Sequence, residues 1–229
     1  MIAVYMLLAA VIGYFCGAIP FGFIYVKLAT GQDVRQIGSG RVGGTNSMRA
    51  AGWKVGFATA MSDVFKGALA IWIVNWLWAG PVSAADMPLL HISAGVLVVI
   101  GHNWSVFMGF KGGAGTGPNI GWAAVIWFPM FPVGFTVMLG LIYFLGIASV
   151  ASMTMALVIP IGFGVLYFTN NPVLEPMTPI YMVGGIITAA IVAFALRGNF
   201  QRLLRGEERI VGLRAQLRKR RERQQAGGG

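Results

Sequence analysis

Gly101–Gly117 reads GHNWSVFMGFKGGAGTG. The stretch emerges from an apolar run, Pro88–Phe107, and is followed by another, Asn119–Met130. Lys111 with Gly112, Gly113, Gly115 and Gly117 behind it is too flexible to have been chosen for helix stability. The stretch therefore reads as a basic, glycine-rich loop between apolar helices. Its C-terminal neighbour decides how many helices there are. Asn119–Met130 is only 12 residues long, where a full membrane span needs about 20.

The whole chain agrees with a membrane setting. Its 229 residues are 57% hydrophobic and 10% charged, with a mean hydropathy of +0.74, whereas a soluble domain is about a quarter charged. This excludes an ordinary soluble enzyme and predicts an all-α, polytopic helix bundle. The apolar runs are Ile2–Val26, Phe57–Trp78, Pro88–Phe107, Asn119–Met130, Val133–Val150, Met153–Phe168 and Ile180–Leu196. They give about seven transmembrane helices, or five with a re-entrant segment. The first run lacks a basic start and is long enough to span, so it is not expected to be a cleaved signal. Cys16 is the single cysteine, so no disulfide within the chain is possible.

Charge sets the expected orientation. From Arg197 onward there are nine Arg, one Lys and three Glu, or +7, against +3 for the preceding 196 residues. Segments 27–54 and 108–118 carry the other basic loops. The positive-inside rule then places the N-terminus outside and the C-terminus in the cytoplasm, and both glycine-rich stretches face the cytoplasm. Residues 1–200 form one transmembrane domain in this reading and 201–229 a basic cytoplasmic tail. The tail suits an anionic leaflet better than nucleic acid, because no aromatic follows Phe200 to stack on bases.

The other glycine-rich stretch, Gly38–Asn46, contains Gly38-Ser39-Gly40-Arg41-Val42-Gly43. It fits G-x-G-x-x-G, but a membrane helix precedes it where a dinucleotide fold needs a strand, and no Walker A lysine occurs. What remains is the anion chemistry behind such motifs. Glycines let backbone N–H groups converge on one anion, and Arg41 and Arg49 supply charge. Ser39, Thr45 and Asn46 add hydrogen-bonding groups, and the fork of Arg49 suits a phosphate. A solvated loop with positive-inside charge is the plainer alternative, as close helix packing is for the glycines after Lys111. Two such loops on one face favour a phosphate-bearing substrate. Asp63 and Lys66, three residues apart within a membrane helix, read as a mutual ion pair. His91 reads as interfacial or structural, and His102 as either a hydrogen-bonded helix end or a part of the site. One cysteine and two histidines make no metal site, and no G-x-S-x-G elbow occurs.

Four stretches carry a family resemblance. They are GSGRVGGTNSMRAAG at 38–52, Asp63-Val64-Phe65-Lys66-Gly67, GHNWSVFMGFKGGAGTG at 101–117, and RGNFQRLLRGEE at 197–208. Together and in this order they resemble the bacterial acyl-phosphate:glycerol-3-phosphate acyltransferases, the PlsY family of integral membrane enzymes. The resemblance implies transfer of an acyl chain from acyl phosphate to the 1-hydroxyl of glycerol 3-phosphate, giving lysophosphatidic acid and phosphate in phospholipid biosynthesis. It implies a multi-pass protein of the bacterial inner membrane with a cytoplasmic active site and no cofactor. Membrane lipids are the expected surroundings, and no protein partner follows from it. Carried over by position, Ser39, Arg49, His102 and Lys111 would be catalytic. Ser39, Gly40, Arg41, Thr45, Asn46, Arg49, Lys111, Gly112, Gly113, Gly115 and Asn199 would bind substrate. The chain departs from the family pattern at Ala114, where a second lysine is usual, at Leu196 for a histidine, at Gly198 for a glutamate and at Arg41 for an asparagine. A diverged member that binds phosphate or lipid without turnover is the alternative, and a small transporter a more distant one.

Overall fold

The computed structural model describes residues 1–174 and 178–211, and among these the secondary structure is helical apart from one isolated bridge between Ile147 and Ile210. Nine α-helices run in order among the described residues: α1 Ile2–Ala18, α2 Phe21–Thr30, α3 Gly44–Ala51, α4 Trp53–Trp78, α5 Met87–Asn103, α6 Thr116–Ile126, α7 Met130–Phe144, α8 Ala148–Phe168 and α9 Ile180–Leu204. Five segments are long and apolar enough to cross a membrane: 2–30, 53–78, 87–108, 148–168 and 180–204. α6 and α7 are shorter, with 11 and 15 residues.

Local chemistry explains the breaks. Pro20 pushes Ile19 into an extended conformation (ψ 117°), which separates α1 from α2. Gly146, at φ +70°, ends α7, and its N–H donates back to Ile142 O at 3.0 Å. α8 therefore begins at Ala148 rather than at the expected Met153.

The helices approach closely where small residues meet. A side chain at Gly13 or Gly17 of α1 would collide with the backbone of Ala94 or Val98 in α5, and one at Gly67 of α4 with Pro118 of α6. In lipid, where burial of apolar surface between helices gains little, such close contacts hold a bundle together. The interior is filled by Trp122, stacked on Phe163 at 5.7 Å, and by Phe163 on Tyr181 at 5.4 Å. Of the two expectations for His91, the structural one fits: it is buried and hydrogen-bonded to Tyr181 Oη and Asn75 Oδ1. Large apolar side chains such as Trp76, Phe128, Phe144 and Phe168 face outward, as a lipid-facing surface requires.

Two segments carry more structure than expected. Gly44–Ala51, which falls within the polar segment 27–54, is helical, and Gly44 packs against Gly56 of α4. α9 runs to Leu204, and the strap after it, residues 205–211, folds back on the turn between α7 and α8. There Val211 N–H donates to Gly146 O at 2.7 Å. The rest of the basic tail, 212–229, and Glu175 lie outside the described residues.

Candidate active site

Four connections meet at one end of the bundle: the first glycine-rich loop with α3, the second glycine-rich loop into α6, the α7–α8 turn, and the strap after α9. They enclose a cavity of about 140 Å³. Its polar lining includes Ser39, Arg41, Thr45, Arg49, Ser149 and Asn199. Its apolar lining includes Phe135, Met138, Met155 and Leu196. Apart from the buried Lys66, every Lys and Arg among the described residues stands at or near this end.

The first loop is held by Asn46. Its amide donates to Val34 O, Ile37 O and Arg41 O at 3.0, 2.8 and 2.9 Å, and its Oδ1 accepts from Ser39 N–H at 3.0 Å. The Asn46 side chain is thus occupied by the loop's own backbone. It borders the cavity and shapes the loop that carries Ser39 and Arg41. Gly40, at φ +73°, turns the loop and stands outside the cavity lining.

Two arginines of this region do line it. Arg41 is half-buried, and its guanidinium donates to Ala195 O of α9. Burial, then the neighbouring Arg202, lowers its pKa from the ordinary value. Burial, then Arg209, does the same for Arg49. Neither forms an ion pair among the described residues. Arg35 differs, being paired with Asp33 at 2.6 Å and standing outside the cavity. Two cations without carboxylate partners beside one cavity are a place for an anion.

The second loop meets the cavity with its C-terminal part. Gly115, Thr116 and Gly117 line the cavity, but Lys111, Gly112 and Gly113 do not. Lys111 is exposed on the loop. Gly112 and Gly113 fold back on α5, donating to Asn103 O at 3.1 Å and to His102 O at 3.0 Å. A side chain at Gly113 would overlap His102 Nε2, so this glycine makes room for the imidazole.

His102 is buried, lines the cavity and belongs to a cluster. Lys66 Nζ lies 2.8 Å from His102 Nδ1 and 2.9 Å from Asp63 Oδ1. The expected Asp63–Lys66 pair is therefore a group of three. Its third member could have been found from the sequence only by knowing that α5 ends beside α4.

Asn199 is aimed by the strap. Glu208 Oε1 accepts from Asn199 Nδ2 at 2.7 Å and from Ser149 Oγ at 3.1 Å, while Glu208 Oε2 accepts from Arg202 Nε at 3.2 Å. Asn199 Oδ1 is buried and has no partner among the described residues. Glu208 and the hydroxyl-bearing α7–α8 turn escaped the sequence reading as site residues.

The same architecture occurs in known proteins. The family model described as "Glycerol-3-phosphate acyltransferase" matches residues 7–206. A glycerol-3-phosphate acyltransferase of Chlorobium phaeobacteroides (strain BS1) is 34% identical over 224 residues, covering 87% of this chain and 94% of the relative. One of Syntrophomonas wolfei is 33% identical over 198 residues, covering 86% and 93%. The crystal structure of PlsY (YgiH), an integral membrane glycerol 3-phosphate acyltransferase, in its glycerol 3-phosphate form superposes with a TM-score of 0.74 at 31% identity, covering 93% of this chain and 98% of that one. Its lysophosphatidic acid form gives 0.71 at 29% identity, covering 90% and 95%.

Proposed function

The chain belongs to the glycerol-3-phosphate acyltransferase family of integral membrane proteins, and from that membership we propose that it transfers a fatty acyl chain from acyl phosphate to the 1-hydroxyl of glycerol 3-phosphate, giving lysophosphatidic acid and phosphate. The observation that carries this reading is the cavity's double character. Arg41 and Arg49 line it without carboxylate partners, and so do the apolar side chains of Phe135, Met138 and Met155. Such a cavity suits a substrate that is phosphate at one end and hydrocarbon at the other.

Arg41, Arg49, Ser39 and Thr45 bind substrate phosphate in this reading. Asn199 Oδ1 accepts from a glycerol hydroxyl, because Glu208 holds the other face of the amide. An acyl phosphate arrives already activated, so the chain contributes mainly orientation and charge stabilisation. The hydroxyl oxygen attacks the acyl carbon, the bond from that carbon to the phosphate oxygen breaks, and phosphate leaves with the electron pair. Two acceptors are near for the hydroxyl proton, His102 and a substrate phosphate oxygen. The basic end of the bundle faces the cytoplasm of a bacterial inner membrane by the positive-inside rule.

Ala114 and Leu196 favour a second reading, a member that binds without turnover, since both put apolar groups on the cavity wall. One assay separates the two. Phosphate release from palmitoyl phosphate by the purified protein is measured with and without glycerol 3-phosphate, beside Arg49→Ala. Release that needs glycerol 3-phosphate and is lost in the variant supports the transferase. Equal traces in all arms support binding alone.

A further inference from the structure

The strap after α9 brings a third cation to the cavity, Arg209. Gly206, at φ +71°, turns the chain out of α9, and three anchors then fix its path. Glu208 accepts from Ser149, Asn199 and Arg202. Ile210 bridges Ile147, and Val211 N–H donates to Gly146 O. Arg209 stands among these anchors and its side chain takes part in none of them. The carboxylates that line the cavity are Asp63 and Glu208. Asp63 lies 2.9 Å from Lys66, and Glu208 is committed as described, so neither pairs with Arg209. Arg49 of α3 lines the same cavity and is near enough for the charge of Arg209 to bear on it. Two guanidinium groups held together with no ion pair to either repel each other, and an anion bound by both removes that cost.

We propose that Arg209 is a substrate-binding residue, which together with Arg49 grips the phosphate of glycerol 3-phosphate and so ties the strap to α3. The inference rests on the functional reading above and deepens it. A phosphate monoester offers three acceptor oxygens, and the forked donors of two arginines suit it. Solvent reaches both Arg49 and Arg209, whereas Arg41 is half-buried against α9. A pair open to water is placed for the water-soluble substrate. Consecutive strap residues then serve the two ends of one molecule. Glu208 turns Asn199 Oδ1 toward the glycerol hydroxyl, and Arg209 takes the phosphate.

Calorimetry of glycerol 3-phosphate binding to the full-length protein in detergent, without acyl phosphate, tests this. Arg209→Ala is expected to weaken binding about tenfold, the lower end for a charged hydrogen bond. Arg209→Lys is expected to recover part of the loss, since lysine keeps the charge but not the fork. Arg205→Ala is the control, because Arg205 is an exposed strap residue outside the cavity lining, and its affinity is expected to match the wild type. Unchanged affinity in Arg209→Ala overturns the proposal. So does an equal loss in Arg205→Ala, which would reduce the effect to the general charge of the basic end. Arg209 holds none of the strap's anchors, so its variants are expected to fold, with thermal midpoints equal to the wild type. Steady-state kinetics then separate the two phosphates. A raised KM for glycerol 3-phosphate, with kcat and the KM for palmitoyl phosphate held, supports the assignment. A raised KM for palmitoyl phosphate alone overturns it. A wild type without turnover would overturn the functional reading, while the binding isotherms still decide the role of Arg209.

Discussion

Asn199 and Glu208, nine residues apart, are joined at 2.7 Å across the end of α9. A carboxylate only accepts hydrogen bonds, so Asn199 must turn its NH₂ group to Glu208 and its Oδ1 away. Glu208→Ala removes this constraint and leaves Asn199, Ser149 and Arg202 without their acceptor. We expect a loss of about 1–3 kcal/mol in stability and about a tenfold or greater fall in kcat/KM. Thermal unfolding and phosphate release, measured on the same preparation, check the two.

Arg41 reaches α9, and Ala114 borders the same cavity. Arg41 is thus placed to supply, from the first loop, the cation missing at position 114. Arg41→Asn is expected to raise the KM for glycerol 3-phosphate or acyl phosphate about 10–100-fold, the scale of one charged hydrogen bond. Adding Ala114→Lys to that variant is expected to recover part of the loss. Steady-state kinetics of the two single variants and the double variant give the coupling between the sites.

Asn46 supports three carbonyls and one N–H of the first loop. Asn46→Ala is expected to destabilise the protein by about 1–3 kcal/mol and to weaken substrate binding through the loop. Asn46→Asp keeps only the acceptor and is expected to be no better. Denaturation midpoints and KM values report both effects.

Burial lowers the pKa values of Arg41 and Arg49 from their ordinary range, yet guanidinium remains charged between about pH 5 and 9. A cation whose pKa is lowered on folding opposes folding at every pH below that pKa, so this cost does not vary across the range. The substrate titrates instead, since a phosphate monoester takes its second charge near pH ~6. Glycerol 3-phosphate affinity is expected to rise between about pH 5.5 and 7.5 and then level off. Binding isotherms across pH check this.

Gly113→Ala places a methyl group against His102 Nε2. Displacing the ring by even about 1 Å is expected to lower kcat about 100-fold, with little change in the helical circular dichroism signal. Kinetics and the spectrum of the same sample decide.

The membrane helices and the two glycine-rich loops were legible in the sequence because hydrophobic length and charge are local properties. α6 was legible only as a short apolar run and α7 as the longer run Val133–Val150, which is cut short because Gly146 rather than the later small residues ends α7. The helix α3 was not legible: GTNSMRAA has weak helical preference, and packing on α4 supports it. In the site, Arg41, Arg49, His102 and Asn199 could be named from residue type and motif. Their partners could not. Arg41 meets Ala195 across 154 residues, and His102 meets Lys66 across 36. The part played by Asn46 was hidden for a related reason, since an asparagine that binds a ligand and one that binds its own loop have the same letter.

Asp63 and Lys66 sit one helical turn apart on α4, whereas His102 arrives only with α5. During synthesis α4 therefore carries its own counterion into the bilayer before the rest of the cluster exists. A lone lysine is costly to insert, and the adjacent aspartate lets the helix enter as a segment of no net charge at that depth. The same pair that later lies against an imidazole also makes the unfinished chain acceptable to the membrane.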